Sequence, residues 1–188
     1  MNIWSHSTRE LEEIMRLVLK TKREVFVELG CFKFNMTIIF LLLSLERPLM
    51  ISVDKGDYSP ERRQLLENMF GKFFKFVLGD SHEPTTIKNV EGALRGRKID
   101  ILFVDGDHTT GGVEQDTINF LPFMDPEGYI IWHDMVKSAA EIVHPWAIHK
   151  LQKNIQINLL YDDTSRIGYI KVKEWLRNTQ KHSGLATK

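Results

Sequence analysis

Apolar positions along the chain alternate between two periods. Leu11, Ile14, Met15 and Val18 recur at helical intervals behind Ser7, and Glu10 follows that serine at capping-box spacing, which predicts an amphipathic first helix. Short apolar runs and helical stretches then succeed one another. Val25 to Leu29 (VFVEL) reads as a strand, followed by a glycine-containing turn and the apolar segment Met36 to Leu45. Leu49 to Asp54 is a second strand, and Ser59-Pro60 opens a helix through Phe70 with proline at its first position. Phe73 to Leu78 is a third strand, Thr86 to Leu94 a weaker helix, and Ile99 to Asp105 (IDILFVD) the clearest strand; Val113, Thr117, Phe120 and Leu121 restore helical spacing. Gly128 precedes a fifth strand, YIIW. Ser138 to Leu151 reads as helix, with Pro145 starting or kinking a turn, and IQINLLY and RIGYIKV, separated by Asp162 to Ser165, read as an antiparallel hairpin.

This alternation predicts an α/β fold: a Rossmann-like, doubly wound, mostly parallel sheet with an antiparallel C-terminal hairpin, layered α/β/α. The expected organisation is a flanking helix over residues 1–22, one domain over 23–173, and a polar, fraying tail over 174–188.

Composition narrows the partners. The 188 residues, 43% hydrophobic and 27% charged, describe one soluble globular domain. The 25 Lys and Arg balance 25 Asp and Glu, so no global basic field draws nucleic acid to the chain. Met36 to Leu45 has about half of the ~20 residues that span a bilayer, so it is expected as a buried core helix and no membrane partner is expected. The N-terminal residues lack a basic region followed by an apolar run, and the single cysteine, Cys31, excludes an internal disulfide and a multi-cysteine zinc site. A reducing, cytoplasmic setting is the expectation.

The zero total conceals a local pattern. In open α/β sheets ligands bind beyond the carboxyl ends of the strands, and here those ends carry Glu28-Leu29-Gly30, Asp54, Gly79-Asp80-Ser81, Asp105-Gly106-Asp107-His108 and His133-Asp134. A glycine after the first strand allows close backbone approach, and an acid closing the second can accept both hydroxyls of a ribose. The turn reads Gly30-Cys31-Phe32-Lys33-Phe34-Asn35, without the G-x-G-x-x-G that cradles a pyrophosphate, which points to a phosphate-free nucleoside cofactor, S-adenosylmethionine. Asp105 and Asp134 offer hard oxygen ligands for Mg²⁺, and His108, three residues after Asp105, is placed to act as a base. His133 is open to three readings: a hydrogen-bonding neighbour, a ligand beside Asp134, or a polar strand end. The other histidines, His82 among them, read as surface or structural, Asp116 as a solvated or capping residue, and Phe32, Phe34 and Phe40 as core.

VELGCFKFNMT, ISVD, ILFVDGDH, the Asp125-Pro126-Glu127-Gly128 turn and IIWHD together resemble class I S-adenosylmethionine-dependent methyltransferases, nearest to the small-molecule O-methyltransferase branch that includes macrolide-sugar and cephalosporin-biosynthesis enzymes. The resemblance covers Val25 to Asp134. It implies that Glu28, Gly30, Asp54, Asp80, Ser81 and Asp105 hold S-adenosylmethionine. It further implies that Asp105 and Asp134, with His133 where the family can carry an acid, hold Mg²⁺ or another divalent cation, and that His108 takes the proton from a small hydroxylated acceptor such as a sugar. The sequence departs from the family pattern at Phe34, which replaces the last glycine of the first motif and is expected to reshape the methionine end of the pocket. The short chain leaves the acceptor site either open or completed by another subunit in a homo-oligomer. The competing reading, motivated by Phe34 and the short chain, is a binding protein on a degenerate methyltransferase fold. A metal-dependent phosphoesterase is disfavoured by the lack of further His/Asp/Asn clusters.

Overall fold

The computed structural model describes residues 7–43, 48–135, 157–161 and 166–182. In chain order the elements are α1 (Thr8–Val18), β1 (Val25–Leu29), α2 (Asn35–Leu43), β2 (Leu49–Asp54), α3 (Pro60–Phe70), β3 (Phe74–Leu78), α4 (Pro84–Leu94), β4 (Ile99–Val104), α5 (Thr110–Phe120), β5 (Met124–Trp132), β6 (Asn158–Tyr161), β7 (Arg166–Lys171) and α6 (Val172–His182). The helix expected over Ser138 to Leu151 and the turn over Asp162 to Ser165 lie outside the described residues.

The strands form one seven-stranded sheet in the order β3-β2-β1-β4-β5-β7-β6. β1 to β5 are parallel, and β7 is antiparallel to both β5 and β6. The predicted hairpin thus forms, with its second strand inserted beside β5. Successive strands are added to one side of β1 and then, after the crossover from β3 to β4, to the other. The crevice between β1 and β4 is therefore the switch point where such sheets bind ligands.

Period-two alternation divides the strand side chains between two cores. Val27 and Leu29, Ile51 and Val53, Leu102 and Val104, and Trp132 pack with Val90 of α4, Val113 and Phe120 of α5 and Trp175 of α6. Phe26, Met50, Phe103 and Ile131 pack on the other face with Ile14 and Leu17 of α1, Phe40 of α2 and Leu66 of α3. Every residue of β1 and of β4 is buried, as expected for parallel strands covered on both sides.

α1 carries the predicted capping box: Glu10 N donates to Ser7 Oγ at 3.2 Å and Ser7 N donates to Glu10 Oε2 at 2.7 Å. The C-terminal segment departs from expectation. In place of a fraying tail, α6 runs to His182 and buries Trp175 with its ring 6.0 Å from that of Trp132. Lys171 and Lys173, at the junction of β7 and α6, both pair with Glu127, at 2.6 and 2.9 Å. A single large aromatic on the inner face outweighs the polar composition around it, because burying an aromatic ring contributes about 2–3 kcal/mol.

Candidate active site

Strand register brings the carboxyl ends of the central strands level. Leu29 lies opposite Val53 and Val104, and Val104 opposite Trp132. The ladder continues into the loops: Gly30 N donates to Val53 O, Asp105 N to Leu29 O, Gly79 N to Asp54 O and His133 N to Val104 O, at 2.8 to 3.1 Å. Gly30, Asp54, Gly79, Asp105 and His133 therefore stand in a row along one edge of the sheet. Gly30 has φ +86°, and a Cβ there would lie 2.2 Å from the carbonyl oxygen of Asp105. Only glycine permits the β1 and β4 loops to meet this closely.

A cleft of about 320 Å³ opens above this row, lined among others by Gly30, Phe32, Asp54, Tyr58, Ser81 and Asp105. Asp54 Oδ2 accepts from Phe32 N at 2.8 Å and Oδ1 from Gly56 N at 3.2 Å, so the acid that closes β2 also fixes the loop leaving β1. Phe32 takes φ +45°, an uncommon backbone conformation for a bulky residue. Its ring, 55% exposed, lies 5.3 Å from that of Tyr58. The expectation that Phe32 is core is thus overturned. Phe34 and Phe40 are fully buried, as expected, and Phe34 meets Phe74 and Phe76 edge-on at 6.1 and 5.4 Å. The Phe34 ring is directed into the core and forms no part of the cleft lining. The shape and polarity of the cleft fit a nucleoside: a glycine cradle, an aromatic pair at the mouth and a carboxylate at the second strand end.

Two residues read as cofactor contacts stand away from this lining. Glu28 shares the α2 face of β1 with Phe26, so strand alternation turns it from the cleft; it accepts hydrogen bonds from the hydroxyls of Thr37 and Ser52. Burial pushes its carboxyl up to about 8 against those hydrogen bonds, with the neighbouring Asp105 charge adding to the rise. Asp80 accepts from His82 N at 2.9 Å and pairs with Lys55 at 3.1 Å, and both contacts hold its carboxyl below the ordinary value; its neighbour Ser81 reaches the cleft.

Beyond Asp105 lies the second half of the site. One donor atom each from Asp105, His108 and Asp134 lie within 4.8 Å of one another. His108 is half-exposed, with Nε2 3.5 Å from Asp105 Oδ1 and Nδ1 3.7 Å from Asp134 Oδ2. Its hydrogen bond to Asp105 raises its pKa, against the opposing effect of burial. Asp134 adopts φ +53°, where an aspartate is tolerated better than most residues. His133 fills the buried side, with Nδ1 3.2 Å from Asp105 Oδ1 and 3.5 Å from Asp134 Oδ1. Burial, the largest influence on His133, pulls its pKa down, but the two carboxylates outweigh it and hold the imidazole up at about 10. His133 in turn lowers the Asp134 carboxyl. Two carboxylates and an imidazole form a hard, anionic donor set that suits a divalent cation. His108 stands on the exposed side of the two carboxylates, within reach of either a cation or an acceptor hydroxyl beside them, and His133 contacts both carboxylates from the buried side.

Three residues to which the sequence assigned no part in the chemistry also belong to this region. Glu10 is buried, with Oε1 3.9 Å from His133 Nε2, so the capping-box acid of α1 also faces the site. Asp107 lines the cleft and caps its own loop through Thr109 N. Asp116, expected on a solvated face, is wholly buried in α5, with Oδ1 3.2 Å from His82 Nε2, and burial raises its carboxyl. The helical stripe Val113, Asp116, Thr117, Phe120, all buried, carried that signal in the sequence.

A family model described as a methyltransferase domain matches residues 27–135. No curated protein sequence matches the chain. Among solved structures, the chain is similar to a putative caffeoyl-CoA O-methyltransferase from Staphylococcus aureus, at 16% identity and TM-score 0.68, over 88% of this chain and 84% of that one. It is similar to CalS11, a calicheamicin methyltransferase, at 13% identity and TM-score 0.66, over 86% and 76%. It also resembles MycE, a methyltransferase of the mycinamycin biosynthetic pathway crystallised with Mg and SAH, at 14% identity and TM-score 0.60, over 85% of this chain and 48% of MycE, so it spans about half the length of that enzyme.

Proposed function

Because the chain belongs to the methyltransferase domain family and is an S-adenosylmethionine-dependent methyltransferase, we propose that it methylates a hydroxyl oxygen of a small polyhydroxylated metabolite, a sugar or a relative of one, with help from a divalent cation. The observation that carries this reading is the convergence of Asp105, His108 and Asp134 at the strand ends directly beside the cleft. Asp105 belongs to both halves, so a methyl donor in the cleft and a hydroxyl beside the carboxylates would meet there.

S-adenosylmethionine, when bound, supplies an activated methyl group on a sulfonium, and a divalent ion, when bound, supplies positive charge that lowers the pKa of a neighbouring hydroxyl. The chain's residues do the rest. Gly30 would admit the nucleoside against the backbone, Asp54 would meet its ribose, and Phe32 with Tyr58 bounds the cleft mouth. Asp105 and Asp134 would hold the ion and draw the acceptor hydroxyl to the edge of the cleft. His108 would accept the proton of the acceptor hydroxyl, whose oxygen would gain the methyl group that the sulfonium supplies, with S-adenosylhomocysteine as the leaving group. Positioning and electrostatics account for most of the acceleration, because methyl transfer needs no covalent help from the protein. The competing reading of a degenerate binding protein rested on Phe34 and on the short chain, and the Phe34 ring is buried away from the cleft lining, which weakens the first of these grounds.

Calorimetric titration with S-adenosylmethionine, with and without Mg²⁺, is the test, coupled to methyl transfer onto a panel of polyols. Binding of both, with transfer lost in His108→Ala and Asp105→Asn, is the expected result. Full transfer by either variant in saturating cofactor would overturn the mechanism, and binding of neither ligand would overturn the function.

A further inference from the structure

A second groove lies away from the active site. It measures about 1110 Å³ and runs beside β3, between that strand and the C-terminal end of α4. β3 bonds to β2 along one edge; its other edge is the margin of the sheet and has no strand partner among the described residues. The groove is lined by four cations, Lys72, Lys75, Arg95 and Arg97, and by no carboxylate. All four are exposed, and none forms an ion pair among the described residues, whereas Arg16, Lys22, Lys55, Arg63, Lys171 and Lys173 each sit on an acid. Leu78, at the end of the strand, is 60% exposed.

A lone lysine on an edge strand guards against aggregation, and Lys75 serves that purpose by itself. The other three cations come from outside β3, and together they make one field of a single sign in a chain whose total charge is zero. We propose that this edge is a docking surface for an extended acidic peptide segment of a partner protein, which adds to β3 as an eighth strand and places its carboxylates against Lys72, Lys75, Arg95 and Arg97. Backbone groups of β3 supply the affinity and the cations the selectivity, as in other cases of strand addition. A second copy of this chain is the wrong occupant, because edge-to-edge pairing would bring the two cation sets together. A nucleic acid would satisfy the cations but leave the strand's alternating donors and acceptors without complementary partners.

The test uses the full chain and a fluorescent alternating Glu-Val heptapeptide, whose extended length of roughly 23 Å spans the roughly 16 Å of the five-residue strand with a residue to spare at each end. Saturable binding is expected, weakened at least about tenfold by Lys75→Glu with Arg97→Glu and weakened again by raising salt, with an alternating Lys-Val peptide not binding. Both substituted side chains are exposed, so the variants should melt like the parent. Four outcomes would overturn the proposal: no saturation up to about 1 mM peptide; equal binding by a Glu-Val peptide N-methylated on alternate residues, which cannot pair as a strand; tighter binding by a single-stranded oligouridylate; or a dimer of the unmodified chain that the peptide fails to displace. Methyl transfer plays no part in these readouts, so they stand apart from the proposed function.

Discussion

The two halves of the site, on either side of Gly30, are built by different means. On the β2 side the cleft is shaped by backbone: a glycine that no other residue can replace, a phenylalanine held at positive φ, and a carboxylate whose two oxygens accept from loop amides. On the β5 side backbone matters less, and the arrangement rests on charge: two carboxylates and two imidazoles within a few ångströms, backed by the buried acid Glu10. A rigid nucleoside is met by a preformed surface, which costs little ordering on binding. A cation and a proton in transit are met by titratable groups, which respond to charge. The halves should therefore fail differently when altered.

The sharpest contrast comes from Gly30→Ala. With a Cβ 2.2 Å from a carbonyl oxygen and an unfavourable φ, the substitution should cost about 3 kcal/mol or more of stability and abolish S-adenosylmethionine binding, seen as a lowered melting temperature and a flat calorimetric trace. Retained cofactor affinity would mean that the β1 and β4 loops can separate. Asp134→Asn should instead leave the cofactor isotherm unchanged while weakening Mn²⁺ binding at least about a hundredfold, measured by electron paramagnetic resonance. Equal loss of both ligands would collapse the distinction between the halves.

Glu28 gives a pH signature. Its folded-state pKa, about 8, lies above the ordinary carboxylate value, so between roughly pH 4.5 and 8 the unfolded chain is ionised while the native chain keeps the proton. The unfolded state then binds fewer protons, and this group makes stability fall as pH rises through that window, with a slope approaching about 1.4 kcal/mol per pH unit, and level off above it. Glu28→Gln should flatten that decline in urea melts across the window; an unchanged pH slope would place the dependence elsewhere. The smallest effect is expected for Phe32→Ala, which removes one ring of the aromatic pair and should weaken cofactor binding about three- to tenfold without altering Mn²⁺ affinity.

Legibility in the sequence followed the range of the interaction. The capping box of Ser7 and Glu10, the strands from Val25 to Trp132 and the acids at their ends were all readable, because each depends on residues a few positions apart and on one topological rule. Phe32 was not: its exposure follows from a left-handed turn that a phenylalanine does not advertise. Phe34, read as a disturbance of the cofactor pocket, is turned into the core by the same loop. Glu10 was read correctly as a cap, but its approach to His133 depends on how α1 docks over the sheet, more than a hundred residues distant in sequence. Strand parity excluded Glu28 from the cleft, and that parity becomes decidable only once Phe26 is known to face α2.

The insertion of β7 between β5 and β6 also bears on the order of assembly during synthesis. β5 carries Trp132 into His133 and Asp134, and its outer edge is closed only by Gly168 to Lys171, while Trp175 covers Trp132. A nascent chain that has emerged as far as Asp134 holds all of the proposed chemistry yet lacks the strand and the ring that fix its last carboxylate. The cleft lining is thus drawn wholly from residues 30–107, whereas the strand end that carries the last carboxylate is buttressed by residues that follow it in the chain.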